Sequence, residues 1–253
     1  MSAALALPRQ LSLPGKLRAV IRVTCMAALL LLCIPLHYVC HLLRLLNPWP
    51  RVFLGGVAWI AGVELAYRGQ KARGGAFLIA NHVSWIDVPA LAAASGSAFV
   101  GHDGLASTPL LEWLCRMNRT VFIARHDRTS VASQVEAVRA ALSDSGALTI
   151  FPEGTTSDGT GLLPFKSSLL SAFEPLPPGI AVQPVLLDYG AEAADMSWIG
   201  EEPGLDNFLR ILARARPVQL TIHYLPVLSG DELLSRKTIA AAARDAIGRA
   251  LAA

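Results

Sequence analysis

The stretch AFLIANHVSWIDVPALAAA, residues 76–94, contains three patterns in direct succession. Five apolar residues come first, a polar segment from Asn81 to Asp87 follows, and an alanine-rich segment ends the stretch. A short apolar run bounded by polar residues is typical of a buried strand, and the alanine-rich segment favours a helix. The stretch therefore predicts a strand that passes through a polar turn directly into a helix.

The same alternation continues along the chain. Apolar runs predict strands at residues 63–68, 76–80, 98–100, 120–124, 147–151, 181–187 and 218–225, and helical patterns lie at residues 88–94, 109–117, 130–143, 167–173, 206–213 and 235–251. This order predicts an α/β fold with a layered, mostly parallel sheet and flanking helices. Ligands bind beyond the carboxyl ends of strands in such sheets, so the candidate loops are residues 81–87, 125–128 and 152–167.

The composition favours contact with a membrane. Apolar residues make up 53% of the chain, the mean hydropathy is +0.45 and only 16% of residues are charged; a typical soluble domain is more polar. Six basic residues precede the first acidic one, Glu64. A basic, apolar N-terminus suits anionic headgroups, so we expect membrane lipids as partners. The body has no basic stripe interleaved with aromatic residues, so we expect no nucleic acid.

Two apolar segments mark the N-terminal region. Residues 23–43 carry no charge and are long enough to cross a bilayer, whereas residues 52–63 are too short. We expect membrane-anchoring helices over residues 1–62 and an α/β domain over residues 63–253. A single span with the basic N-terminus inside would place this domain outside the cell. We therefore expect a kinked, partly embedded helix pair that returns the domain to the cytoplasmic face of the membrane.

His37 and His41 lie four residues apart in the first apolar segment, with Cys40 between them. Either they are two metal ligands on one helix face, or they are interfacial polar residues near the end of an embedded helix. A metal site needs further ligands and none is evident in the sequence, so we expect no metal.

His82 and Asp87 stand five residues apart in the polar turn. In a helix this spacing would rotate the two side chains about 140° from each other, and in a strand it would place them on opposite faces. A strand-to-helix turn lets them converge at the carboxyl end of the strand. Two other roles remain open: Asp87 as the N-cap of the following helix, and His82 as a loop residue bonded to the backbone.

Four segments together resemble, in order and spacing, the four motifs of the glycerolipid acyltransferases, the family of 1-acylglycerol-3-phosphate acyltransferases. They are NHVSWID (residues 81–87), VFIAR (121–125), FPEGTTSDG (151–159) and VQPV (182–185), and the likeness covers about residues 60 to 225. The resemblance implies acyl transfer from acyl-CoA or acyl-carrier protein to a lysolipid hydroxyl, with no cofactor. His82 matches the catalytic histidine, a general base that deprotonates the attacking hydroxyl, and Asp87 matches its partner.

The other matched positions concern the acceptor. Glu153 and Gly154, followed by Thr155 and Thr156, match the acceptor-binding motif, where Glu153 either accepts a hydrogen bond from a glycerol hydroxyl or anchors its loop. Arg125 matches the phosphate-binding arginine. Lys166 adds a cation at the same end of the sheet; a solvated surface charge is the alternative for both cations.

Departures from the motifs bear on the acceptor. Thr156 stands where phosphate-using members usually have arginine, Ala124 where an aspartate commonly precedes Arg125, and His102 where many relatives have lysine. The TSDG ending is similar to acyltransferases that make ornithine lipids. Lysophosphatidate, which gives phosphatidate in phospholipid biosynthesis, is our first expectation because it is the commonest acceptor in the family, and lyso-ornithine lipid is the second. A non-catalytic lipid-binding protein would not explain why polar residues collect at strand ends.

Overall fold

The computed structural model describes residues 11–102, 109–123, 140–142, 145–173, 176–177 and 179–253. Its helices are α1 (Leu13–Leu42), α2 (Trp49–Ala61), α3 (Asp87–Ser95), α4 (Pro109–Met117), α5 (Ala193–Met196), α6 (Gly204–Leu212) and α7 (Arg236–Leu251). Its strands are β1 (Val63–Gly69), β2 (Ala76–Ala80), β3 (Ala98–His102), β4 (Val121–Ile123), β5 (Ala147–Ile150), β6 (Ala181–Asp188) and β7 (Val218–Tyr224).

These seven strands form one sheet in the order β1-β7-β6-β2-β5-β3-β4. The five strands from β6 to β4 are parallel, whereas β7 is antiparallel to β6 and carries β1 parallel to itself. The predicted α/β fold with a mostly parallel sheet is confirmed. Because β2 lies between β5 and β6, the loops that follow these three strands meet at one edge of the sheet.

Side chains of β2 alternate between two cores. Leu78 and Ala80 belong to the core that α3 and α6 share, whereas Phe77 and Ile79 belong to the core beneath α7. All four are fully buried. Burial on both faces explains why this strand contains no polar residue, and it fixes the point at which the chain enters the polar turn.

Helix α1 begins ten residues before the uncharged run, so two predicted headgroup-binding arginines lie inside it. Arg18 donates from Nη1 to the carbonyl of Ala213 at 2.6 Å, and Arg22 donates to the carbonyls of Leu212 and Arg214 at 3.0 and 3.1 Å. These carbonyls are at the carboxyl end of α6, where cations are favourable. The two arginines therefore hold α1 against the α/β domain instead of facing headgroups alone.

Helix α1 is long and apolar enough for membrane association. Within the ranges that the structure describes, it is the one helix that could cross a bilayer by length and composition, and Leu17, Val20 and Leu31 on its surface are exposed. The second apolar segment forms α2, which ends at Ala61, directly before β1 begins at Val63. The anchoring role of residues 1–62 and their return to one face stay predictions.

Most predicted elements have observed counterparts within one or two residues of their ends. The segment Ser167–Phe173 is a 3-10 helix instead of an α-helix. The predicted helix at residues 130–143 lies outside the described residues except for residues 140–142, which are helical.

Candidate active site

His82 and Asp87 converge in the turn between β2 and α3. Helix α3 begins at Asp87, so the carboxylate lies over the turn that precedes it. Its Oδ2 accepts Nδ1–H of His82 at 2.8 Å and the backbone N–H groups of Val83 and Ser84 at 2.7 and 2.9 Å. The helix has no side-chain N-cap. Asp87 therefore organises the turn and pairs with His82, and the N-cap role is not the one the structure has.

The carboxylate of Asp87 is fully buried. A buried charge needs hydrogen-bonding partners, and the second oxygen, Oδ1, has one in the hydroxyl of Tyr189, which donates at 2.5 Å. Burial, with the nearby charge of Asp87, raises the pKa of Tyr189 well above its ordinary value of 10.0, so the hydroxyl stays protonated. The sequence reading missed Tyr189. Tyr189 lies directly after β6, and only the strand order of the folded sheet shows that β6 is the neighbour of β2.

The imidazole of His82 lies against the ring of Phe151, the first residue after β5. Their centroids are 4.2 Å apart and the rings are 17° from parallel. The His82 side chain is 20% exposed. Because Nδ1–H donates to Asp87, the lone pair is on Nε2, and no described residue hydrogen-bonds to that atom. The arrangement presents an imidazole nitrogen that can accept a proton from a group arriving from solvent.

Glu153 joins the loop after β5 to the turn after β2. Its Oε1 accepts the backbone N–H of His82 and its Oε2 accepts that of Leu163, both at 3.1 Å. The residue is 1% exposed, and burial raises its pKa to about 7 against the opposing effect of these two bonds. The structure shows the loop anchor, and contact of Glu153 with a substrate stays a prediction.

Ser157 also holds the backbone of His82, and sequence reasoning did not single it out. Its N–H donates to the His82 carbonyl at 2.7 Å and its hydroxyl donates to the same oxygen at 3.1 Å. With Glu153 on the amide and Ser157 on the carbonyl, both polar backbone groups of His82 are bonded to one loop. The two motif loops therefore form a single framework around the imidazole.

Gly154 fits its position for two reasons. Its φ is +69°, and a Cβ there would lie 3.2 Å from Nζ of Lys166 and 3.3 Å from Cδ1 of Leu169. The left-handed conformation and the close approach both favour glycine. Lys166 is exposed, and its backbone N–H donates to the carbonyl of Pro152 at 2.8 Å. The predicted cation is therefore held beside the loop on its solvent side.

Thr156 bonds to the segment that follows α5. Its hydroxyl donates to the carbonyl of Trp198, whose own N–H donates to the carbonyl of Val83 at 3.0 Å. The backbone of Trp198 thus joins the two motif loops, and the side chain at position 156 brings no positive charge. Thr155, its neighbour, is exposed.

The remaining predicted residues are Arg125, His102 and His37. Arg125, like Ala124, lies outside the described residues, and His102 ends strand β3. Among the residues that are described, no three His, Cys, Asp or Glu side chains are grouped to hold a metal ion. His37 has a polar partner instead: its Nδ1 is 3.0 Å from Nδ2 of Asn47.

The chain is similar to known acyltransferases. A family model described as Acyltransferase matches residues 63–188. A lyso-ornithine lipid O-acyltransferase of Rhodobacter capsulatus is 31% identical over 251 residues, which cover 93% of this chain and 91% of the relative. A 1-acyl-sn-glycerol-3-phosphate acyltransferase of Neisseria gonorrhoeae is 35% identical over 111 residues, 44% of each chain.

A solved structure shares the fold. The crystal structure of the 1-acyl-sn-glycerophosphate acyltransferase PlsC from Thermotoga maritima superposes with a TM-score of 0.64 and covers 95% of this chain and 94% of its own. The two sequences are 18% identical, so this likeness concerns the architecture alone.

Proposed function

The chain belongs to the acyltransferase family, and we propose that it moves a fatty acyl group from a thioester to the free hydroxyl of a lysolipid, with His82 as general base. The single observation that carries this proposal is the pairing of His82 with the buried carboxylate of Asp87, which leaves Nε2 of the partly exposed ring without a hydrogen-bond partner among the described residues. A hydroxyl is a weak nucleophile until a base removes its proton, and an imidazole held in this way suits that task.

The reaction follows from this geometry. Nε2 of His82 accepts the proton of the lysolipid hydroxyl as the oxygen attacks the thioester carbonyl. The new C–O bond forms, the C–S bond breaks, and the leaving thiolate receives the proton from the imidazolium. Asp87 stabilises the imidazolium and keeps the ring in the tautomer with hydrogen on Nδ1, as the aspartate does in a Ser-His-Asp triad. The products are the diacylated lipid and free thiol.

For the acceptor we propose a lyso-ornithine lipid. The observation is Thr156, whose neutral hydroxyl is bonded to the Trp198 carbonyl at the position where phosphate-using members usually have arginine. A dianionic headgroup would lack that cation here, whereas an amino-acid headgroup does not need it. Support also comes from the Rhodobacter relative, because its match extends over 93% of this chain. This reverses the order of acceptors that we expected from the sequence.

Lysophosphatidate is the second candidate. The observation in its favour is Lys166, whose exposed ammonium lies beside Gly154 and remains available to a phosphate. The donor is a thioester of coenzyme A or of acyl-carrier protein. We place the α/β domain on the cytoplasmic face, where these donors are made; protease cleavage of the domain from outside intact cells would contradict this placement.

The test is an acceptor comparison with purified protein in vesicles. Thiol release from one acyl donor is followed with lyso-ornithine lipid, with lysophosphatidate and with no acceptor, and the lipid product is identified by mass spectrometry. We expect thiol release that depends on the lysolipid and a higher kcat/KM with lyso-ornithine lipid. A preference for lysophosphatidate would overturn the acceptor assignment, and thiol release without any lipid product would overturn acyl transfer.

A further inference from the structure

The buried hydroxyl of Tyr189 bonds to Asp87 in the active site, but the proposed reaction gives it no chemical role. Tyr189 is 3% exposed and follows the last residue of β6, while its partner Asp87 begins α3. The two residues are 102 positions apart in the chain, so the tertiary fold alone brings them together. At this burial the hydroxyl has no access to a lipid or a thioester, and a direct chemical step by Tyr189 is excluded.

The two oxygens of Asp87 have different partners. Oδ2 accepts three N–H groups, one of which is Nδ1–H of His82. Oδ1 accepts the Tyr189 hydroxyl, and no other described residue bonds to it. If only Oδ2 were hydrogen-bonded, the carboxylate could still rotate about that oxygen. The second bond, from the Tyr189 hydroxyl to Oδ1, fixes the plane of the carboxylate. That plane sets the direction in which the imidazole is held.

A second contact fixes the end of β6 to the same turn. The side chain of Asn81, directly before His82, donates from Nδ2 to the Leu187 carbonyl at 3.1 Å. Its Oδ1 accepts the Leu187 N–H at 2.7 Å. Asn81 thereby extends the pairing of β2 with β6 beyond the last strand residue, and Tyr189 follows two positions later. The bonds between Asn81 and the Leu187 backbone therefore hold the end of β6, and with it Tyr189, beside the turn that contains His82.

Building on the proposed function, we propose that Tyr189 is a positioning residue of acyl transfer: it fixes the plane of the Asp87 carboxylate and through it the orientation of His82. The hydroxyl is a matched donor for a buried carboxylate oxygen, and its removal leaves that oxygen without a partner. The effect reaches the substrate only through Asp87 and His82, so it changes turnover and not the binding of either substrate.

The kinetic test compares Tyr189→Phe with Tyr224→Phe. Tyr224 is the matched control because it is also a buried tyrosine at a strand end, and its hydroxyl has no hydrogen-bond partner among the described residues. We expect Tyr189→Phe to lower kcat about ten-fold while KM for both substrates stays unchanged. We expect Tyr224→Phe to match the wild type. Equal kcat in the two variants, or a loss that lies in KM, would overturn the proposal.

A second readout does not depend on activity. In protein labelled with ¹⁵N-histidine, the proton on Nδ1 of His82 gives a downfield NMR resonance that Asp87→Asn identifies. We expect this resonance to broaden in Tyr189→Phe and to remain unchanged in Tyr224→Phe. If Tyr189→Phe does not fold, 3-fluorotyrosine can be placed at position 189, which keeps the hydroxyl but makes it a stronger donor. Because the stronger donor withdraws charge from the Asp87 carboxylate and weakens its bond with Nδ1–H, the resonance should move upfield.

The two readouts separate the possible failures. A resonance that responds to neither substitution at position 189 overturns the role of Tyr189, whatever the activity. A wild-type protein that transfers no acyl group, but whose resonance responds as described, contradicts the proposed function and leaves the Tyr189–Asp87–His82 relationship supported.

Discussion

The carboxylate of Glu153 accepts the backbone N–H of His82 at 3.1 Å, so the acidic residue of one motif holds the main chain of another. Its other oxygen accepts the N–H of Leu163, ten residues further along its own loop. Because one oxygen accepts the His82 N–H and the other accepts the Leu163 N–H, Glu153 holds the backbone of the turn that carries His82. Substitution of this residue should therefore affect both folding and turnover.

The raised pKa of Glu153 predicts a pH dependence of stability. The carboxyl ionises at about pH 7 in the folded protein, against an ordinary value of 4.5 in an unfolded chain. Between these values the folded state binds more protons, so its stability should fall as the pH rises from about 4.5 to about 7. In Glu153→Gln this contribution should disappear, so the melting temperature should fall less between about pH 4.5 and about pH 7 than it does in the wild type.

The exposed Glu201 provides the control for that measurement, because Glu201→Gln removes a carboxylate that lies in solvent. The melting temperature of Glu201→Gln should change with pH as it does in the wild type. A Glu153→Gln slope indistinguishable from that of Glu201→Gln would contradict the burial argument. Glu153→Gln should also lower kcat, because the amide can accept only one of the two N–H groups.

Thr156→Arg should change the acceptor preference. The substitution restores a guanidinium where phosphate-using members have one, and a charge-assisted hydrogen bond contributes about 1.5–3 kcal/mol. We expect the ratio of kcat/KM for lysophosphatidate to that for lyso-ornithine lipid to rise about ten-fold or more. Thr155→Arg adds the same charge one residue earlier, on an exposed side chain. An equal change in both variants would mean that any added positive charge on this loop, and not an arginine at position 156, sets the acceptor preference.

Gly154→Ala should destabilise the protein and reduce its activity. The substitution meets a φ of +69° and places a Cβ close to Lys166 and Leu169. Gly74→Ala is the matched control, since φ there is +80° and no atom lies within 4 Å of the added Cβ. The control measures the backbone cost alone, about 1 kcal/mol. If Gly154→Ala lowers the free energy of unfolding no more than Gly74→Ala does, the contacts of the added Cβ with Lys166 and Leu169 do not destabilise the protein.

Arg18 and Arg22 should stabilise the docking of α1. Replacing both with glutamine removes the charged donors from the carbonyls at the end of α6. We expect a loss of about 1–3 kcal/mol in stability and faster proteolysis within α1. Lys16→Gln removes an exposed charge from the same helix and should have little effect. Equal protease resistance in the two variants would contradict the docking role of the arginines.

Local patterns were sufficient to predict much of the fold and the centre of the site. The apolar run of residues 76–80 predicts a buried strand because both of its faces are covered. The spacing of His82 and Asp87 predicts a turn because neither regular element lets them meet. The four motifs identify the acyltransferase family, which the comparisons confirm.

Contacts between distant segments could not be predicted from the sequence. Nothing near Asp87 indicates that Tyr189 bonds to its second oxygen, since the two are brought together by strand order. Glu153 was ambiguous because a buried carboxylate needs hydrogen-bond donors whether they come from a substrate or from the backbone. Strand direction was equally hidden: the pattern of β7 shows burial, but it carries no signal that β7 runs against β6.

The claim that His82 is the general base is tested most directly by comparing His82→Ala with His223→Ala. His223 is the matched control: its side chain is 18% exposed, and its Nε2 is 3.6 Å from a carboxylate oxygen of Asp188. In the lysolipid-dependent assay, we predict that His82→Ala lowers kcat by about 10²- to 10⁴-fold while His223→Ala retains wild-type turnover. Wild-type turnover in His82→Ala, or an equal loss in both variants, would contradict the account.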